Sequence, residues 1–285
     1  MLSERTVGFI GAGNMAEALI RGMLKSSSIP ANRIWASRRT ASALVDLETE
    51  LGVRTTTHNG SLIEACDIVV LCVKPQMLLD LLRGIGALFG PHHTVMSVAA
   101  GVTTASIEST LPANVPVIRV MPNTPALVGE GVSGFCRGTH ANPSHASTTA
   151  ELFSTAGIAL EIEEEMMNAL TAISGSGPAY VFYIMEALFA GATKVGLSTE
   201  QANQLVAQTI AGAARLALET GTDPAELRRR VTSPGGTTQA ALRSLEASEV
   251  AEAVVKAVVA ARDRGVELGR QSAPPSDSTT RGGRQ

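Results

Sequence analysis

The chain has 285 residues, of which 45% are hydrophobic and only 3% aromatic, and its formal net charge is −3. The length favours two domains, and cores made of Ala, Val, Leu, Ile and Met favour close-packed helices and parallel strands. The charge offers no electrostatic footprint for nucleic acid or an anionic membrane, and no apolar run approaches the roughly 20 residues that span a bilayer. The three cysteines, Cys66, Cys72 and Cys136, are an odd count without metal-type spacing. The five histidines likewise form no ligand pattern, so a metal-free protein of the reducing cytoplasm is expected. The N-terminus leads directly into a strand, with no hydrophobic leader or cleavage site.

The rest of the chain is organised around Arg5 to Ala16, a short apolar strand (Val7, Phe9, Ile10) that turns sharply into a helix. Ala16, Leu19, Ile20 and Met23 recur along that helix at spacings of three and four. Gly11 permits the tight turn, Gly13 lets the backbone approach a pyrophosphate, and Ala16 keeps helix and strand close. The amides of Gly11, Ala12, Gly13, Asn14, Met15 and Ala16 then face the phosphates at the positive end of the helix dipole. This is a dinucleotide site. Ser26 to Pro30 is a loop, and Arg33 to Ala36 a second strand. Its end should read the adenosine ribose. NAD sites carry a carboxylate there, but this chain has Ser37, Arg38 and Arg39. A carboxylate repels a 2′-phosphate, whereas Ser and Arg donate to it, which favours NADPH with NADH as the alternative. The other reading is a solvated basic turn before the helix at 41–51.

Strands follow at 53–56, 68–73, 94–98 and 115–120, separated by helices at 61–65, 76–87 and 104–111. Apolar strands alternating with helices predict a doubly wound parallel sheet, which binds ligands beyond the carboxyl ends of its strands. Those ends carry Lys74-Pro75-Gln76, Ala99-Ala100-Gly101 and Met121-Pro122-Asn123-Thr124-Pro125. A strand at 131–135, a helix around 143–156 and a strand at 159–162 form a final βαβ-type addition closing the sheet. From Glu163 onward only helical periodicity remains. The fold class is therefore an α/β Rossmann-like dinucleotide-binding domain over 1–162, followed by an all-α domain over 163–271. A tail at 272–285, rich in Ser, Pro, Gly and Arg, is expected to be disordered.

In the helical half, Ser174 to Ala179 interrupts a helix, and Pro178 suits a first helical turn. Ser198-Thr199-Glu200-Gln201 has the capping-box pattern for a helix ending near Gly221, and Asp223-Pro224-Ala225-Glu226 opens the next the same way. A last helix runs from about 248 to 270. Ser233-Pro234-Gly235-Gly236-Thr237-Thr238 stands apart from these. Two glycines that expose N–H groups, threonine hydroxyls and a helix beginning at once make an anion cradle of carboxylate size. An interhelical turn with a Thr cap is the alternative. No acidic, Ser–His or Cys–His pair is arranged for hydrolytic or nucleophilic chemistry, so a cofactor must carry the reaction.

These motifs together resemble the pyrroline-5-carboxylate reductase family over about residues 5 to 270. The resemblance rests on Gly11 to Ala16, Val73-Lys74-Pro75-Gln76, Met121 to Pro125, Ser174 to Tyr180 and Ser233 to Thr238. It implies reduction of 1-pyrroline-5-carboxylate to L-proline by NAD(P)H, the final step of proline biosynthesis. It also implies a homodimer built from the helical domains, extended in members of the family to a decameric ring. By that likeness Ser233, Gly235, Gly236, Thr237 and Thr238 bind the substrate carboxylate. Thr238, the catalytic candidate, lies near the ring nitrogen, and Glu164 lies near the substrate. Asn59, Val73, Lys74, Pro75, Ala99 and Ala100 line the cofactor. Arg230 stands where some relatives have asparagine. Two rivals remain. A two-domain reductase of keto or 2-hydroxy acids needs a Lys or His proton donor in the helical half, where Lys194 and Lys256 are the only lysines and histidine is absent. The other is a non-catalytic NADP-binding sensor.

Overall fold

The first strand, β1 (Val7–Ile10), is wholly buried because its side chains feed two apolar layers on opposite faces of one sheet. Val7 and Phe9 pack with Leu19, Ile20 and Met23 of α1 (Asn14–Lys25) and with Phe153 of α6 (Pro143–Ser154). Ile10 belongs to the opposite layer with Leu62, Leu78 and Leu82. This computed structural model describes residues 2–271, so the expectation for the 272–285 tail lies outside the described residues.

The remaining strands are β2 (Ile34–Ser37), β3 (Arg54–Thr56), β4 (Ile68–Leu71), β5 (Thr94–Ser97), β6 (Val117–Met121), β7 (Gly131–Arg137) and β8 (Gly157–Glu161). Their order is β3-β2-β1-β4-β5-β6-β7-β8. From β3 to β6 every pairing is parallel, with α2 (Val45–Leu51), α3 (Asn59–Ala65), α4 (Pro75–Ile85) and α5 (Thr104–Glu108) as connections. The chain leaves β1 toward β2 and β3, then returns to β4 on the other side. That reversal opens a crevice at the carboxyl ends of β1 and β4.

The expectation of a parallel sheet needs one correction, since β7 pairs antiparallel with β6. The segment joining them carries only the single-turn Thr124–Val128. A parallel return needs a crossover of about a dozen residues or more, usually with a helix. The expected βαβ addition is present, with β7 and β8 parallel across α6.

Contacts divide the chain after Gly175 and again before Arg262. The first division falls later than the compositional change at 162/163. Residues 163–175 stay with the sheet unit through α7 (Met167–Leu170) and a π-helical turn at Thr171–Gly175.

The unit from Ser176 to Ala261 is helical: α8 (Gly177–Lys194), α9 (Thr199–Thr220), α10 (Pro224–Arg230), α11 (Thr237–Ala247) and most of α12 (Val250–Gln271). Pro178 lies in the first turn of α8, as expected. Ser198 and Gln201 form the expected capping box, and left-handed Gly221 ends α9. The second box is only half present. Asp223 accepts from the amides of Ala225 and Glu226, while the Glu226 carboxylate turns to Arg229 and Arg230 on its own helix. Ala202 is the only fully buried apolar residue of this unit among the described residues. No helix among them is long and apolar enough to cross a membrane.

Candidate active site

The turn after β1 builds the first cradle. Gly11 sits at φ +92°, and a side chain there would press on Val73 and on the Cys72–Val73 backbone at 2.9–3.0 Å. Its amide and that of Ala12 both donate to the Ser37 carbonyl, at 3.0 and 2.9 Å, and Gly13 N–H donates to the Gly11 carbonyl at 2.7 Å, so these three amides tie the turn together instead of facing the phosphates as expected. Gly13 has open space above its Cα, the nearest atom to an added Cβ being 4.0 Å away. No side chain caps α1, so its first-turn amides are free for an anion.

A cleft of about 460 Å³ extends from this turn. It brings together Gly11, Gly13, Ser37, Arg38, Arg39, Asn59, Val73 and Lys74, which were expected to act jointly, and adds Thr40, Met77 and Leu81. Arg38 and Arg39 are exposed, and neither guanidinium has an ion-pair partner among the described residues. Ser37 is buried, and its hydroxyl donates to Asn59 Oδ1 at 2.8 Å, so its proton points to Asn59 rather than outward. That bond leaves the Asn59 amide N–H groups to face other partners. Cys72 also lines the cleft, but burial pushes its thiol up to about 12, which keeps it neutral and unreactive.

Three of the expected cofactor residues, Ala12, Ala16 and Ala99, are nearly or wholly buried. Their side chains are closed to a ligand, which leaves only backbone atoms to meet one. Ala16 is 0% exposed, as close packing of α1 on β1 requires. Pro75 and Ala100 lie instead on a neighbouring cavity of about 600 Å³, with Gln76, Gly101 and Asn168. Asn14 is exposed and Met15 half-buried at the start of α1.

The second cradle is the turn before α11. Gly235 takes φ +75° and Gly236 precedes the helix without any side-chain cap, so the alternative of a Thr cap is not what forms. The expectation that the glycines present free amides is corrected. Gly235 N–H donates to Gln239 Oε1 at 2.9 Å, and Gly236 N–H donates to the Ser233 carbonyl at 3.1 Å. Those bonds brace the loop. The amides left for an anion are the unpaired ones of the first helical turn, at Thr237 and Thr238. An added Cβ on Gly236 would meet Ser233 Oγ at 2.5 Å, so glycine is required for the serine to fold over the turn. Thr237 is exposed and Thr238 half-buried. Arg230 is tied to Glu226 at 2.8 Å along α10.

Glu164 is part of the sheet unit. Its carboxylate accepts from Thr104 N–H at 2.9 Å, Thr104 Oγ1 at 2.6 Å and Arg119 Nη1 at 3.1 Å. Arg119 is 6% exposed in the middle of β6, and the reading of the sequence missed it. A charged residue inside Val117-Ile118-Arg119-Val120 was the available signal, because a buried guanidinium demands a carboxylate partner. Asn123 lies in the Met121 to Pro125 loop. It is buried, donates to the Ser174 carbonyl at 3.0 Å and accepts from Val132 N–H at 2.8 Å.

A glycine-turn cleft at the carboxyl edge of a mostly parallel sheet, with a helical unit bearing an anion-sized loop, defines a nicotinamide-dinucleotide oxidoreductase. Residues 6–101 match the family described as "NADP oxidoreductase coenzyme F420-dependent", and residues 164–268 match "Pyrroline-5-carboxylate reductase dimerisation". The pyrroline-5-carboxylate reductase of Methanosarcina acetivorans is 40% identical over 270 residues, covering 95% of this chain and 100% of the relative. The chain belongs to the pyrroline-5-carboxylate reductase family. Two solved structures are similar throughout. One is the reductase of Coxiella burnetii, 36% identical with TM-score 0.87 over 93% of this chain and 98% of that one. The other is the Plasmodium falciparum enzyme with NADP bound, 30% identical with TM-score 0.84 over 94% and 100%. The dimerisation match assigns the helical half to oligomer formation.

Proposed function

We propose that this protein reduces 1-pyrroline-5-carboxylate to L-proline with NADPH, the final step of proline biosynthesis. The observation that carries the reading is full-length similarity to reductases of that name, and the two glycine turns support it. Bound NADPH would supply the hydride that reduces the imine carbon, and the imine proton stays on the ring nitrogen.

The chain's own residues supply binding and alignment. The Gly11 to Ala16 turn holds the pyrophosphate, and Arg38 and Arg39 grip the 2′-phosphate as bidentate donors, which favours NADPH over NADH. Asn59, Val73, Lys74, Pro75 and the backbone of Ala99 and Ala100 line the rest of the cofactor. Ser233 and the first-turn amides of Thr237 and Thr238 hold the substrate carboxylate, with Gly235 and Gly236 shaping the loop. The Thr238 hydroxyl lies against the ring nitrogen. A protonated imine is already electrophilic, so positioning carries most of the catalysis, and aligned reactants can gain roughly 7–11 kcal/mol. In this reading residues 1–162 form the cofactor domain and 163–271 the dimerisation and substrate domain. Homodimers, assembling further into a decameric ring, act in the cytoplasm, where Cys66, Cys72 and Cys136 stay free thiols.

The test is NADPH oxidation with 1-pyrroline-5-carboxylate, with proline measured in parallel. The reading expects one proline for each NADPH consumed. Binding of NADPH without turnover would identify a sensor instead.

A further inference from the structure

The Ala99–Thr103 loop between β5 and α5 is anchored at both ends by side chains. At its start, Ala99 N–H donates to Ser97 Oγ at 3.3 Å. At its end, Thr103 Oγ1 caps α5 by accepting from Ser106 N–H at 3.2 Å. The next residue, Thr104, gives both its amide and its hydroxyl to Glu164, across 60 positions of chain. Arg119 reaches the same carboxylate from β6. Between the anchors the chain passes through left-handed Gly101 and exposes Ala100 on a cavity wall.

The ion pair is expensive as a packing device on its Arg119 side, which is buried, while the Glu164 side chain stays 28% exposed. Taking the guanidinium from water costs several kcal/mol, and an apolar residue of similar volume commonly serves stability as well or better. What a charged pair with two further hydrogen bonds provides is direction. It fixes where Thr104 sits, and through it the loop that ends at Ala99.

We propose that Glu164, held by Arg119, is a positioning residue that acts through Thr104 to set the Ala99–Thr103 loop against the cofactor. The proposal rests on the reading that Ala99 and Ala100 line the cofactor. It departs from the expectation that Glu164 touches the substrate, because three of its bonds, two on Oε1 and one on Oε2, go to Thr104 and Arg119. Its signature is on cofactor handling rather than on recognition of the acid.

Thr104→Val keeps the shape of the side chain and removes only the hydroxyl donor, and Thr104→Ser restores the donor. NADPH dissociation constants by calorimetry, melting temperatures, and separate KM and kcat values for both substrates form the readout. Thr104→Val is expected to weaken NADPH about tenfold and to lower kcat, with the imine KM within about twofold of the parent. Thr104→Ser is expected to recover NADPH affinity. Arg119→Lys, which keeps the charge but loses the planar fork, should fall between the two. A fall in melting temperature with unchanged NADPH affinity and kcat would reduce the clamp to a structural strut and overturn the proposal. A rise in imine KM with unchanged NADPH affinity would make Glu164 a substrate ligand and overturn it equally. Should the parent protein not turn over 1-pyrroline-5-carboxylate, the functional reading fails, and the calorimetric NADPH comparison still decides the clamp.

Discussion

In the sheet unit Phe9, Leu19, Ile20 and Phe153 are at most 1% exposed, while in the helical unit Tyr183, Leu218 and Val195 are 72, 77 and 80% exposed. Both sets are apolar, with Tyr183 and Leu218 on α8 and α9 and Val195 in the turn that ends α8. The sheet unit buries a core of its own on both faces of one sheet, although it too leaves Val128 and Ile173 exposed. The helical unit is well capped and well formed locally, yet an apolar stripe on a helix stabilises it only when buried. Large apolar side chains exposed in this way fit the match of residues 164–268 to a dimerisation family. The sheet unit thus carries a glycine-turn cleft backed by its own core, whereas the helical unit, matched to a dimerisation family, leaves large apolar side chains uncovered.

The largest predicted effect comes from altering those side chains. Tyr183→Glu combined with Leu218→Glu places charge where each side chain would gain roughly 1.5–3 kcal/mol on burial. Light scattering should show dissociation to monomers, and turnover should fall by more than about 100-fold, while NADPH still binds. Persistence of the oligomer would mean that this surface is not the one covered.

Core truncation separates the units next. Leu19→Ala should destabilise the sheet unit by about 2–5 kcal/mol in denaturant unfolding. Val195→Ala, on the exposed face of the other unit, should change it by less than about 1 kcal/mol. Equal costs would contradict the difference in self-sufficiency. The smallest effect tests the cleft itself. Arg38→Ala with Arg39→Ala should raise the KM for NADPH about tenfold and leave that for NADH nearly unchanged, since only the 2′-phosphate loses its partners. A parallel rise for both coenzymes would assign the pair to general charge rather than to discrimination.

Much of this arrangement is legible in the chain. The strand–glycine–helix passage at Val7 to Met23 announces itself through periodicity and through the backbone freedom Gly11 requires. Ser198 with Gln201 does the same for α9, since a cap and its reciprocal partner lie three residues apart. What escaped depends on long-range pairing or on competition among nearby donors. Arg119 and Glu164 meet across 45 positions, and Ser37 and Asn59 across 22, distances over which no periodicity operates. The antiparallel turn into β7 follows from the lack of a crossover helix after Met121, a length argument that the apolar pattern of β7 conceals. At Gly235 and Gly236 the sequence shows that amides exist. It does not show that Gln239 folds back to take one of them. Apolar spacing on α8 and α9 likewise cannot tell a face buried within a chain from one buried between chains.

The division of labour between the two cradles is the central claim, and Thr238→Ala tests it most directly. NADPH affinity by calorimetry and steady-state reduction of 1-pyrroline-5-carboxylate are measured on the same preparation. The account predicts turnover lowered by about 100-fold, with the NADPH dissociation constant within about twofold of the parent, because Thr238 serves only the acid and its ring nitrogen. Loss of NADPH affinity with the imine still processed at the parent rate would contradict it.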